Sequence, residues 1–174
     1  VSTEYRLAPE ATYAGSVEDN YAGLKWLHAN AASIGADPAK IAVMGESAGG
    51  GHAALLAIAA RDRGEVPIAY QCLIYPMLDD RTGTTRKMPP HVGTLVWTPE
   101  QNRFGWESFL GTTPGMAKAP KGGVPARFAD LKGLAPAFIG VGTLDLFHDE
   151  DVDYAQRLNA AGVNCELIVV PGAF

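Results

Sequence analysis

The group best suited to covalent chemistry in this chain is the serine in Gly45-Glu46-Ser47-Ala48-Gly49-Gly50. An apolar run at 41–44 precedes it and an Ala-rich run at 53–60 follows. That order predicts strand, sharp turn and helix, the setting a G-x-S-x-G nucleophile elbow requires. Ser47 would then present its hydroxyl at the top of a sheet, above a helix N-terminus. Gly45 and Gly49 are expected to be glycine because a Cβ two residues either side of the serine would crowd the turn. Small residues at 48–51 fit a close approach of strand to helix. The flanking strand and helix favour a nucleophile over an ordinary Gly-rich turn.

A serine hydroxyl is a weak nucleophile at neutral pH. It needs a base to take its proton and a carboxylate to orient that base. On the sheets that carry such elbows, the partners follow in the order serine, acid, histidine. Asp145 is the first carboxylate after the apolar run 137–141, which makes it the candidate acid. Asp149, Glu150 and Asp151 read as N-terminal charges of the next helix, where they suit its dipole. The histidine is expected on the loop after the last strand, 165–170, where the sequence reads Pro171-Gly172-Ala173-Phe174. The four histidines of the chain are His28, His52, His91 and His148. His28 falls on a helix flank, His52 inside the helix after the elbow, His91 in a long insertion, and His148 three residues from Asp145. Each reads as a structural or solvated histidine.

Strand and helix signals alternate around these groups, which predicts a parallel sheet with helices on both faces. Residues 1–5 read as a strand. Ser16 is expected to cap a helix with Glu18 and Asp19 in its first turn. That helix carries an apolar face of Val17, Tyr21, Leu24, Leu27 and Ala31 at helical spacing, and Gly35 and Pro38 end it. Strands are expected at 41–44, 68–75, 137–141 and 165–170, and helices at 50–61 and about 149–161. One stretch breaks the rhythm. Residues 79–136 are rich in Gly and Pro and hold one convincing helix, with Thr98 as N-cap, Pro99 next and Gln101 completing a capping box. An insertion of that size is expected to be a cap or lid over the site.

The 174 residues are 47% hydrophobic and 19% charged, which suits one domain, 1–174, with a real core. The net charge of −5 and the absence of any Lys/Arg run argue against a nucleic-acid partner. The longest apolar stretch, 53–60, is too short to span a bilayer. Cys72 and Cys165 are expected to be buried free thiols, and no metal-ligand spacing is present. Neither an initiating Met nor a signal peptide is seen at Val1, so the native N-terminus is expected upstream and a cytoplasmic location is the default.

Four stretches resemble the bacterial hormone-sensitive-lipase-like esterases of the α/β-hydrolase fold. Glu4-Tyr5-Arg6-Leu7-Ala8-Pro9-Glu10 is similar to that family's YRLAPE segment. Gly45 to Gly50 resembles its GDSAGG elbow, with Glu46 in place of the usual Asp. Tyr75-Pro76-Met77-Leu78-Asp79-Asp80-Arg81 is similar to the segment after the next strand. Leu144-Asp145-Leu146-Phe147-His148-Asp149-Glu150 resembles the family's acid loop.

The resemblance implies a serine carboxylesterase that needs no metal or cofactor and acts on short- to medium-chain esters. It implies Ser47 as nucleophile, Asp145 as acid and the Ala48 amide as one oxyanion donor. It further implies a glycine loop before Val1 that supplies the other donors, and a catalytic histidine just after Phe174. The chain therefore reads as the central and C-terminal part of a longer enzyme, expected by itself to be nearly inactive and prone to self-association. The alternative is a non-catalytic receptor or pseudoenzyme on the same fold.

Overall fold

The sheet is set by four short apolar strands that pair in parallel in the order β1-β2-β3-β4. They are β1 (Ala42–Glu46), β2 (Tyr70–Ile74), β3 (Ala137–Gly142) and β4 (Cys165–Val170). The computed structural model describes Val1–Phe174. Parallel strands need long crossovers. Helix α1 (Tyr13–Asn30) leads into β1, α2 (Ala48–Arg63) joins β1 to β2, and α4 (His148–Ala160) joins β3 to β4. The connection from β2 to β3 carries α3 (Pro99–Leu110).

Register decides which side chains share a face. Val43, Gln71, Ala137 and Cys165 are aligned across the sheet, as are Gly45, Leu73, Ile139 and Leu167. Ala53, Ala54 and Ile58 of α2 and Tyr154, Ala155 and Leu158 of α4 close over that face as one core. Alanines along α2 let the helix lie close to the strands. Helices are expected on both faces; within these residues they cover this one. On the other, Cys72 and Phe138 are half-buried and Met44, Ile168 and Val170 are exposed. Cys165 is buried and Cys72 only partly so; both are free thiols.

The central elements fall where sequence periodicity puts them, and the N-terminal ones do not. Residues 1–5 form no strand. Side-chain packing holds them instead: the Tyr5 ring stacks on His52 at 4.4 Å. Helix α1 starts three residues before Ser16, with Thr12 at its N-cap position. Ser16 lies buried inside the helix and donates to the Tyr13 carbonyl at 3.2 Å. The extra turn is supported by Tyr13, whose ring meets Phe109 edge-on at 6.1 Å.

The insertion at 79–136 contains no strand beyond an isolated bridge between Thr82 and Arg86. Its helix α3 begins with the expected capping box. Buried ion pairs brace the insertion internally. Asp79 accepts from the Arg81 side chain at 2.7 and 2.8 Å, and Arg86 lies 3.3 Å away. Burial works against the Asp79 charge, but the Arg81 hydrogen bonds outweigh it and hold this carboxyl below its ordinary range. Asp80 accepts from Arg127 Nε and from the Gly115 amide, both at 2.7 Å.

Two of the three acids at the start of α4 are not solvated dipole charges. Only Asp149 is exposed; Glu150 and Asp151 are fully buried. Glu150 Oε1 accepts from the Leu78 and Asp79 amides at 2.6 and 3.0 Å. It therefore joins the helix after Asp145 to the root of the insertion. Burial pushes Glu150 up to about 8 and Asp151 well above the carboxylate range.

Candidate active site

Parallel pairing sends all four strand C-termini to one edge, where open α/β sheets place their ligands. Ser47 follows β1, Tyr75 follows β2, Asp145 follows β3, and residues 171–174 follow β4. Ser47, Tyr75, Asp145 and Phe174 line one cavity of about 270 Å³, together with Leu95, Val96, Trp97, Leu146 and Phe147.

Ser47 sits in the strained turn expected of an elbow, at φ 52° and ψ −120°. A non-glycine residue holds such a conformation only when its surroundings over-determine it. Here its amide donates to the Ile74 carbonyl at 2.9 Å, and its carbonyl accepts from Met77 at 2.9 Å and Gly51 at 3.1 Å. Ala48 is the first residue of α2, so its amide has no acceptor within the helix and is free for an oxyanion. Glu46 is exposed and accepts from the Tyr75 hydroxyl at 3.2 Å.

The glycines around the elbow play unequal parts. A Cβ on Gly45 would lie 2.1 Å from the Gly49 carbonyl oxygen, so this position must be glycine. Gly49, expected to be crowded, faces open space. The tight positions are instead Gly50, against Pro76, and Gly51, against the Met77 carbonyl. The turn is therefore closed from the β2 side rather than from its own C-terminal flank.

Asp145 is half-buried, and its Oδ1 accepts from the Phe147 amide at 2.8 Å. Burial raises its carboxyl above the ordinary range, opposed by that amide and by His148. The Leu144 amide donates to the Ala173 carbonyl at 2.9 Å, and the Gly172 amide donates to Thr143 Oγ1 at 2.9 Å. These bonds dock the 171–174 turn on the acid loop.

No histidine lines this cavity. His148 Nδ1 pairs with Asp149 at 2.8 Å. His52 Nδ1 donates to the Ala48 carbonyl at 2.8 Å, which leaves Nε2 buried without a partner, and burial lowers its basicity. Sequence reasoning singled out Ser47 and Asp145 but missed Tyr75, Leu95, Val96 and Trp97 as lining residues. Tyr75 could have been found from its place just past a strand. Nothing local marks the other three.

The model of a family described as alpha/beta hydrolase fold matches residues 1–174. The chain is 40% identical over 172 residues to the carboxylesterase NlhH of Mycobacterium tuberculosis, covering 96% of this chain and 52% of that protein. It is 30% identical over 187 residues to an ethyl acetate hydrolase of Pseudomonas putida, covering 99% of this chain and 54% of that protein. Among solved structures, a bacterial heroin esterase superposes with a TM-score of 0.91 at 44% identity, over 98% of this chain and 55% of that one. The chain thus spans about half the length of the curated relatives it matches.

Proposed function

Because the chain belongs to the α/β-hydrolase family, on its hormone-sensitive-lipase-like branch, we propose that it carries the nucleophile and acid of a serine carboxylesterase. The observation that carries the reading is the shared cavity of Ser47, Asp145 and Phe174 at the strand C-termini. Ser47 Oγ attacks the ester carbonyl and its proton passes to a histidine. The carbonyl oxygen becomes an oxyanion that accepts from the Ala48 amide. Collapse expels the alcohol, which takes the proton from the imidazolium, and leaves an acyl-serine. Water, deprotonated by the same histidine, then releases the carboxylic acid and restores Ser47. Asp145 orients the imidazole and stabilises its charged form.

The histidine is assigned to the position that follows Phe174 in the whole protein. Docking of the 171–174 turn on the Asp145 loop supports that assignment. The remaining oxyanion donors are assigned to a glycine loop preceding Val1, on the resemblance alone. With no histidine in the cavity, the 174 residues by themselves are expected to turn over little. The substrates are small carboxylic esters, in keeping with the apolar walls Leu95, Val96, Leu146 and Phe147.

The test is hydrolysis of p-nitrophenyl butyrate by the whole protein. The expected result is esterase turnover that Ser47→Ala removes. Tight ester binding without turnover in the intact protein would instead favour the non-catalytic reading.

A further inference from the structure

Val96 holds a conformation that a β-branched residue rarely takes. Its φ is +62°, and the Trp97 amide donates to the Leu95 carbonyl at 2.7 Å. An i to i+2 hydrogen bond around a residue with positive φ is the rare and strained form of γ-turn. Strain of this kind persists where the surroundings impose it, and it clusters at functional sites.

The surroundings here are firm on both sides. Upstream, the Gly93 amide donates to the Leu144 carbonyl at 3.2 Å, and a Cβ on Gly93 would lie 2.7 Å from the Leu146 side chain. The chain therefore leaves the acid loop at close quarters. Downstream, Trp97 Nε1 donates to Asn102 Oδ1 at 3.1 Å, and Asn102 in turn donates to the Thr82 carbonyl at 2.8 Å. Thr98 then opens α3 with its capping box. Residues 93–98 thus form a short bridge from the acid loop to the insertion helix, across the cavity that holds Ser47.

The bridge turns apolar side chains where burial would not put them. Val96 is 83% exposed and Leu95 52% exposed, yet both line the cavity with Ser47 and Asp145. Two large apolar groups held at the mouth of a site, on a turn that costs backbone strain, have no packing rationale within the chain.

We infer that Val96, held outward by this γ-turn, is the specificity-determining wall of the site, setting the length of the ester's apolar arm that fits between the turn and Asp145. This rests on the reading of Ser47 as the nucleophile. Glycine at 96 would remove the wall and make the positive φ unstrained. Phenylalanine there would extend the wall further into the cavity.

The probe is a series of n-alkylboronic acids from methyl to octyl, which add reversibly to a nucleophilic serine without needing turnover. Their affinities for the whole protein are read by tryptophan fluorescence, to which Trp97 in the cavity wall contributes. In the unmodified protein, affinity should climb with length and then stop. Val96→Gly should move that stopping point at least two carbons longer and strengthen octyl binding about tenfold, within the range a hydrophobic pocket can discriminate. Val96→Phe should move it shorter. The same length profile in all three proteins overturns the inference. Loss of boronate binding in Ser47→Ala is expected. Equal affinity in Ser47→Ala would overturn the nucleophile reading, while the Val96 comparison would still report on the wall.

Discussion

The Leu144 amide and the Ala173 carbonyl are joined at 2.9 Å, making the loop that carries Asp145 and the turn that leads to Phe174 one hydrogen-bonded unit. Gly142 makes this closeness feasible. A Cβ there would lie 2.3 Å from the Ala173 carbonyl oxygen. Gly142→Ala should therefore push the turn off the acid loop. We expect a stability loss of about 1–3 kcal/mol in urea unfolding, as for an overpacked site. In the whole protein, kcat should fall by more than that loss explains, because the base shifts relative to Asp145. Unchanged kcat would separate the turn from the chemistry.

The elbow glycines offer a paired test of how the turn is closed. Gly50→Ala would bring a Cβ within 2.7 Å of the Pro76 side chain and 2.9 Å of its backbone. A cost of about 1–3 kcal/mol is expected. Gly49→Ala meets nothing within 4 Å and lies inside α2. It should be neutral or stabilising by about 0.5–1 kcal/mol, the usual gain for replacing glycine in a helix. Thermal unfolding of the two variants side by side reads the difference.

Glu150 should impose a pH dependence on stability. Its carboxyl is raised in the folded protein from the ordinary 4.5 to about 8 by burial. Below pH 4.5 it is protonated both folded and unfolded, and the neutral acid is accommodated. As pH rises from 4.5 to 8, only the unfolded chain ionises it, so stability declines across that window and levels off above it. Glu150→Gln keeps an acceptor for the Leu78 and Asp79 amides without a proton to lose. It should remove Glu150's share of the decline in urea unfolding measured from pH 4.5 to 8.5, leaving the share of the neighbouring Asp151, whose carboxyl burial also raises. Glu150→Ala leaves both amides unpaired and should cost about 1–3 kcal/mol for each at any pH.

Asp145 acts in its ionised form, beside the imidazolium it stabilises, so in the whole protein the acid limb of kcat/KM should follow protonation of the histidine rather than of Asp145. Asp145→Asn should lower kcat on the order of 10⁴-fold, the cost of an incorrectly oriented imidazole in a triad. A loss of only a few-fold would point to another acid.

Most of the fold was legible because its strands and helices carry strong periodic signals. The limits of β4 match those read from the sequence, and β3 extends one residue past them, because an apolar run bounded by Gly or Pro admits few alternatives. Residues 1–5 misled for the same reason: Val1 to Tyr5 has strand-like composition, but side-chain packing holds it without a ladder partner. The places of Ser47 and Asp145 just past β1 and β3 were legible because each follows an apolar run that reads as a strand. Glu150 was not. The sequence shows a carboxylate in the first turn of a helix, whereas its role depends on two amides more than seventy residues earlier in the chain. Val96 was hidden too, since nothing in Leu95-Val96-Trp97 announces a positive φ.

The most direct measurement is peptide mapping of the whole protein after reaction with a fluorophosphonate. One adduct per chain on the peptide containing Ser47, abolished by Ser47→Ala, is the expected result. An adduct on another residue, or labelling that survives Ser47→Ala, would contradict the assignment of Ser47 as the nucleophile.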